Sequence, residues 1–391
     1  MGAPDRLIAM RRRPSRSGAP SGTAGGNRRV RMLRGTAGIA LAGCLLAVLM
    51  ACGHAPAEVV VGTSAPSASS GSGSAALHLE RGVNILSDDP IWRSRERARL
   101  TTDHVRLIAE AGFDHVRINL HPFRDGADSA DPAVREAWFH VVTWAMDRAL
   151  GNGLSVVLDM HEYEAMGRDP VGNHDRFLAF WQSMADRFSA APPSVAFELL
   201  NEPNGELDAP AWNALLAETV AIVRDIDPAR TLIVGPARSN SIKALDALRL
   251  PPGEPDLVVT VHYYLPFRFT HQGAAWAGLA DLSGVTWSGT PSQRRAIETD
   301  LDEAVAWAAQ NDRPLYLGEF GAYEGGDLAS RTAWTSFVAR QAQCRGWGWA
   351  YWQFDSDFVV YDVDRGRWVE AIRRALIPTA PSRDPAPSGS C

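Results

Sequence analysis

The chain has 391 residues, of which 46% are hydrophobic and 21% charged, with a net charge of −6 and a pI near 5.9. That balance suits one large globular domain or two modest ones. It offers no basic footprint, so nucleic acid is not an expected partner. Cys44, Cys52, Cys344 and Cys391 match neither a zinc spacing nor a CxxC redox motif.

Arginines crowd residues 1–34, where Asp5 is the only acidic residue, and residues 35–51 carry no charge. This is the order of an export signal. Leu49-Met50-Ala51-Cys52 fits a bacterial lipobox, which makes Cys52 the expected lipidation site and residues 1–52 the signal. Leu41-Ala42-Gly43-Cys44 fits the same pattern, but cleavage there would leave Leu45–Met50 as an apolar stretch on the mature chain. An uncut signal anchor is the alternative, although 17 uncharged residues are short for a bilayer. Met10 and Met32 are possible true starts. The expected localisation is exported, secreted or held at the cell envelope, with membrane contact only through this N-terminus. Residues 53–76, rich in Ala, Gly, Ser and Pro, read as a flexible linker. Residues 379–391 read as a loose tail. Whether Cys344 pairs with Cys391 stays open.

Residues 77–378 remain for the folded domain. Short apolar runs recur there at Gly82–Ile85, His115–Asn119, Ser155–Met160, Val195–Leu199, Thr231–Gly235, Leu257–His262, Leu315–Gly318 and Gly348–Gln353. Several are continuous Val/Ile/Leu runs, as expected of strands buried on both faces. Amphipathic helices are predicted at Thr102–Ala111, Pro132–Leu150, Pro210–Asp225, Ile297–Ala309 and Ala329–Cys344. The alternation predicts a (β/α)8 TIM barrel. A doubly wound sheet is less well supported, because no glycine-rich phosphate loop follows the first strand. Residues 265–294, with Trp276 and Trp287, form the longest gap. Loops after barrel strands build the active face, so this one is a candidate substrate wall, or else an insertion packed on its own aromatics. Thirteen tryptophans suit sugar stacking, though most are expected in the core.

Cleaving a glycosidic bond takes two carboxyl groups, one on either side of it. Glu202, in Phe197-Glu198-Leu199-Leu200-Asn201-Glu202-Pro203, and Glu319, after Pro314-Leu315-Tyr316-Leu317-Gly318, end candidate strands four and seven. Either alone reads equally well as a turn residue or an ion-pair partner. As a pair at matching strand ends they point to hydrolysis.

With these motifs in place, the region from Arg81-Gly82-Val83-Asn84 to Trp352 resembles glycoside hydrolase family 5, the cellulase family. The resemblance implies a retaining β-glycanase that works by double displacement, with Glu202 as acid/base and Glu319 as nucleophile. It implies that Arg117 (in Phe113-Asp114-His115-Val116-Arg117-Ile118) lies near the nucleophile and His161 (in Leu158-Asp159-Met160-His161) lines the cleft. Asn201 would bond the sugar 2-hydroxyl. His262 and Tyr264 (in Val261-His262-Tyr263-Tyr264) would join the catalytic hydrogen bonds, and Trp352 would be a stacking platform. Glu162 stands where many members carry a second histidine. The Phe269–Ala274 segment is similar to cellulase-like members, so the expected partner is a β-glucan and the expected activity that of an endo-β-1,4-glucanase. A β-mannanase or exo-β-1,3-glucanase of the same family is the alternative, and an inactive surface-tethered glycan-binding barrel is the alternative of another class. No metal or organic cofactor is expected, and a monomer is.

Overall fold

The computed structural model describes residues 76–378. The signal with Cys52, the tail with Cys391 and nearly all of the linker lie outside the described residues. Cys344 is disulfide-bonded.

Eight parallel strands close into a barrel: β1 Arg81–Ile85, β2 His115–Leu120, β3 Ser155–Met160, β4 Val195–Glu198, β5 Leu232–Val234, β6 Leu257–Tyr263, β7 Leu315–Phe320 and β8 Gly348–Tyr351. A two-stranded hairpin, β9 Tyr361–Asp362 and β10 Arg367–Trp368, follows. The predicted strands β4 and β8 end one and two residues earlier than expected, and β5 is a residue shorter at each end.

The helices lie at Thr102–Glu110, Pro132–Gly151, His174–Phe188, Ala209–Ile226, Pro291–Asn311 and Leu328–Cys344, with a short one at Glu370–Leu376. Two differences from the predicted set have physical causes. The helix His174–Phe188 was not expected: Asn173 at its start makes no side-chain cap, and its buried face is mostly aromatic, with only middling helix propensity. The helix expected from Ile297 starts six residues earlier, at Pro291, where Thr290 and Gln293 form a capping box. After β5 the chain makes only a short left-handed turn and a 3-10 segment, Ile242–Ala247, so the alternation has no long helix there.

Side chains alternate along each strand. One set packs outward under the helices. The inward set forms two floors. The lower is apolar, built from Val157, Ala196, Ile233, Val258, Tyr316 and Ala350, with Leu77 and Leu79 packed against it. Two residues further along β1 to β4 the inward positions are polar: Asn84, Arg117, Asp159 and Glu198, each fully buried. The same period-2 rule sets both floors.

Nine of the thirteen tryptophans are buried. Three of them tie helices to loops on the active face: Trp181, Trp212 and Trp334 donate Nε1–H to the carbonyls of Leu199, Gly235 and Leu265 at 3.0, 2.8 and 3.1 Å. The long segment after β6 divides. Trp287 is buried against Phe337, whereas Trp276 is 63% exposed at the mouth of the barrel.

Candidate active site

At the C-terminal end of the barrel lies a cavity of about 370 Å³ whose lining includes Glu202, Glu319, Asn201, His161, His262, Tyr264 and Trp352. Seven of the eight expected cleft residues therefore share one wall system, and the eighth, Arg117, lies buried beneath them.

Arg117 organises the floor. Its guanidinium makes a two-point pair with Glu198, Nε to Oε2 and Nη2 to Oε1, both at 2.7 Å. Nη1 donates to Glu319 Oε1 and to Asn84 Oδ1, each at 2.8 Å. Nη2 also reaches Asn201 Oδ1 at 2.8 Å and Asp159 Oδ2 at 3.1 Å. The planar fork lets one cation bind five neighbours, which lysine's ammonium cannot do. Burial acts against its charge, but the facing carboxylates prevail and hold it firmly protonated.

The same bonds orient the cleft. Asn201 Oδ1 is held by Arg117, so its Nδ2 faces the cavity side, 3.4 Å from His161 Nε2. His161 Nδ1 bonds Asp159 Oδ2 at 2.7 Å, which keeps the proton on Nδ1 and leaves Nε2 as an acceptor. Trp352 stacks on the His161 ring at 5.4 Å and 10°. Tyr264 donates its hydroxyl to Glu319 Oε2 at 2.9 Å. His262 Nδ1 lies 2.8 Å from Glu202 Oε1 and 3.5 Å from Glu319 Oε2.

Two backbone irregularities aim the carboxyl groups. The β6–β7 register slips between Val261 and His262, leaving Gly318 unpaired just before Glu319. Such a bulge re-aims the following side chain. A Cβ on Gly318 would lie 2.5 Å from Thr260 Oγ1 and 3.1 Å from His262 Nε2, so only glycine fits. Glu202 has φ of 43°, a left-handed conformation that costs a non-glycine residue about 1–2 kcal/mol.

Carboxylate oxygens of Glu202 and Glu319 lie within 4.8 Å of each other and of a His262 ring nitrogen. Burial is the main cause that pushes both carboxyl groups up to about 7. Each is further raised by neighbouring carboxylates: Asp159 and Glu198 act on Glu202, Glu202 and Asp159 on Glu319. Two such groups share protons rather than ionise together. Glu319 accepts from Arg117 and Tyr264 on its two oxygens, which favours its charged form. These three residues are the group of carboxylate and imidazole atoms, among the described residues, spaced to hold an ion. The positive charge facing them is already a guanidinium.

Several polar contributors went unassigned in the sequence: Asn84, Asn119, Asp159, Glu198 and Asn240. The first four sit at inward strand positions, in step with Arg117, which is the signal that could have found them. Glu162 does not face the sugar cleft. Its Oε1 accepts from the backbone N–H groups of Phe123 and Arg124 at 2.7 and 3.0 Å, so it anchors the loop after β2.

The family model described as cellulase (glycosyl hydrolase family 5) matches residues 79–357. Endoglucanase C of Acetivibrio thermocellus is 30% identical over 306 residues, covering 68% of this chain and 87% of that protein. Endoglucanase H of the same organism is also 30% identical, over 68% of this chain, which spans only 29% of that longer protein. Among solved structures, the endoglucanase Cel5A of Thermotoga maritima superposes with a TM-score of 0.71 at 39% identity, covering 76% of this chain and 97% of that one. The cellulose synthase subunit Z of Clostridioides difficile gives 0.72 at 33%, over 77% and 100%. The chain belongs to the cellulase family, glycosyl hydrolase family 5.

Proposed function

We propose that this protein is a retaining endo-β-1,4-glucanase in which Glu319 is the nucleophile and Glu202 the general acid/base. The observation that carries the reading is the spacing of the two carboxyl groups. Retaining enzymes hold the pair about 5–5.5 Å apart and inverting enzymes about 6.5–9.5 Å apart, to admit a water. One carboxylate oxygen of Glu202 lies within 4.8 Å of one of Glu319, which fits the closer, retaining spacing.

The surrounding bonds fit the two roles. Arg117 and Tyr264 favour the ionised form of Glu319 needed for attack on the anomeric carbon. Burial raises Glu202 so that it carries a proton for the leaving oxygen near neutral pH. Once Glu319 is esterified, its negative charge is gone and Glu202 becomes more acidic. As a carboxylate it then takes a proton from the incoming water, whose oxygen displaces the sugar from Glu319. Asn201 Nδ2 is turned to meet a sugar hydroxyl, and Trp352 offers a ring face beside it. Trp276 extends the aromatic wall at the rim, its Nε1–H held by Asp357 at 3.1 Å.

The glucan preference rests on relatives that are named endoglucanases. One specific observation keeps β-mannan as a second reading: the Thermotoga maritima Cel5A has been seen in complex with mannotriose as well as with cellobiose. Product sizing on carboxymethyl cellulose, mixed-linkage glucan, mannan and xylan separates the two. The proposal expects glucan to be cut internally and fastest. Cleavage of mannan but neither glucan overturns it.

The export reading belongs to the same proposal: residues 1–52 are a lipoprotein-type signal and Cys52 is acylated, which tethers a monomeric enzyme to the envelope. Cys52→Ala then shifts the protein from the detergent to the aqueous phase on partitioning. Unchanged partitioning contradicts the tether.

A further inference from the structure

The segment after β5 carries backbone strain. Arg238, Ser239 and Asn240 have φ of 60°, 58° and 52°, three successive non-glycine residues in the left-handed region. For Arg238 and Ser239 this costs about 1–2 kcal/mol each, and less for Asn240. Strain of that kind persists where the surroundings impose it, and it gathers at functional sites. Here the turn is fixed at both ends: Ser239 N–H donates to the Pro203 carbonyl at 3.0 Å, and Ser241 bridges in parallel to His262. Between these anchors the Asn240 side chain, fully buried, points at the His262 ring, with Nδ2 3.2 Å from Nε2. The amide occupies space that a side chain at position 235 would take, since a Cβ on Gly235 would lie 2.0 Å from Asn240 Oδ1.

We infer that Asn240 is a positioning residue that fixes the tautomer of His262. Its Nδ2–H donates to Nε2, so the ring proton is kept on Nδ1, where it is donated to Glu202 Oε1. A donor aimed at Nε2 also opposes a second proton on the ring. The charged groups that face this ring are Glu198 from β4 and Glu202 in the loop beyond it, Glu319 from β7, Asp159 from β3 and Arg117 from β2. Lys243, in the segment after the turn, is directed at Asp300 and Glu303 instead. Four carboxyl groups against one guanidinium would favour an imidazolium. Burial opposes it, and Asn240 adds to that opposition. A neutral ring leaves the working proton on Glu202 and steadies the carboxylate after that proton is spent. Asn240 Oδ1 has no hydrogen-bond partner, a cost consistent with an amide orientation chosen by the histidine.

This inference rests on Glu202 as the general acid, and the test separates the two ideas. In full-length protein with ¹⁵N-labelled histidine, the His262 signals, assigned by their loss in His262→Gln, show a protonated Nδ1 and bare Nε2 from pH 5 to 8. A protonated Nε2 in that range overturns the inference, whatever Glu202 does. Asn240→Asp places an acceptor against Nε2 and makes the ring a cation beside Glu202. The basic limb of kcat/KM on a soluble β-glucan then moves down by about 1–3 pH units. The loss in kcat is smaller on a dinitrophenyl cellobioside, whose leaving group needs no proton. An unmoved basic limb with folded protein overturns the inference. A Glu202→Gln variant that keeps the wild-type basic limb overturns the acid assignment instead.

Discussion

Single residues here are asked to hold charge where burial opposes it. Glu202 titrates at about 7 in the folded state, against roughly 4.3 for an exposed glutamate. The folded protein therefore binds more protons than the unfolded chain between those values, and this group's effect on stability worsens as pH rises through them. Glu202→Gln removes that penalty. We expect the variant to melt a few degrees above wild type at pH 8, on the order of 1–3 kcal/mol, and level with it at pH 4. An equal offset at both pH values, in thermal melts, contradicts this. Activity runs the other way: both Glu202→Gln and Glu319→Gln abolish glucan hydrolysis while circular dichroism stays native. Arg117→Met leaves Glu198, Asp159 and Glu319 as uncompensated buried carboxylates, and we expect a loss of about 3–5 kcal/mol in urea unfolding. Seven of the eight expected residues sit at or near strand ends beside recognisable motifs and line the cavity, whereas Arg117 sits inside β2, beneath them. Glu198 and Asp159 stood in the same motifs. Their partnership with Arg117 appears only once β2, β3 and β4 are set in register, which no single strand reveals.

At the scale of elements, the barrel's strands are regular where they support and irregular where they aim. The bulge at Gly318 is the clearest case. Gly318→Ala forces Thr260 and His262 aside, and we expect a stability loss of about 1–3 kcal/mol together with a disproportionate fall in kcat. A fall confined to KM would show that the bulge does not aim Glu319. The segment after β6 offers a paired contrast. Trp276→Ala removes one exposed stacking face and raises KM for long oligosaccharides roughly 2–10-fold, as expected for about 0.5–1.5 kcal/mol of stacking. Trp287→Ala opens a buried cavity and costs about 3–5 kcal/mol of stability instead. Sequence alone could not divide these two tryptophans, since both lie in aperiodic chain. The strands were readable from their apolar runs, and five of the helices from their spacing, but His174–Phe188 was not. The turn after β5 was not, because Arg238-Ser239-Asn240 has no glycine to announce left-handed backbone.

At the scale of the whole molecule, the barrel separates support from chemistry by depth. An apolar floor closes one end, a buried ionic layer lies above it, and the cleft opens beyond. The ionic layer depends on the floor for its low dielectric, and the cleft depends on the ionic layer for orientation. The central claim, that Glu319 forms a covalent glycosyl-enzyme, is tested most directly by trapping. Incubation with an activated 2-deoxy-2-fluoro-cellobioside, followed by mass spectrometry of the digested protein, should find one added cellobiosyl group on the peptide containing Glu319. An adduct on Glu202, or on any other residue, would contradict the account.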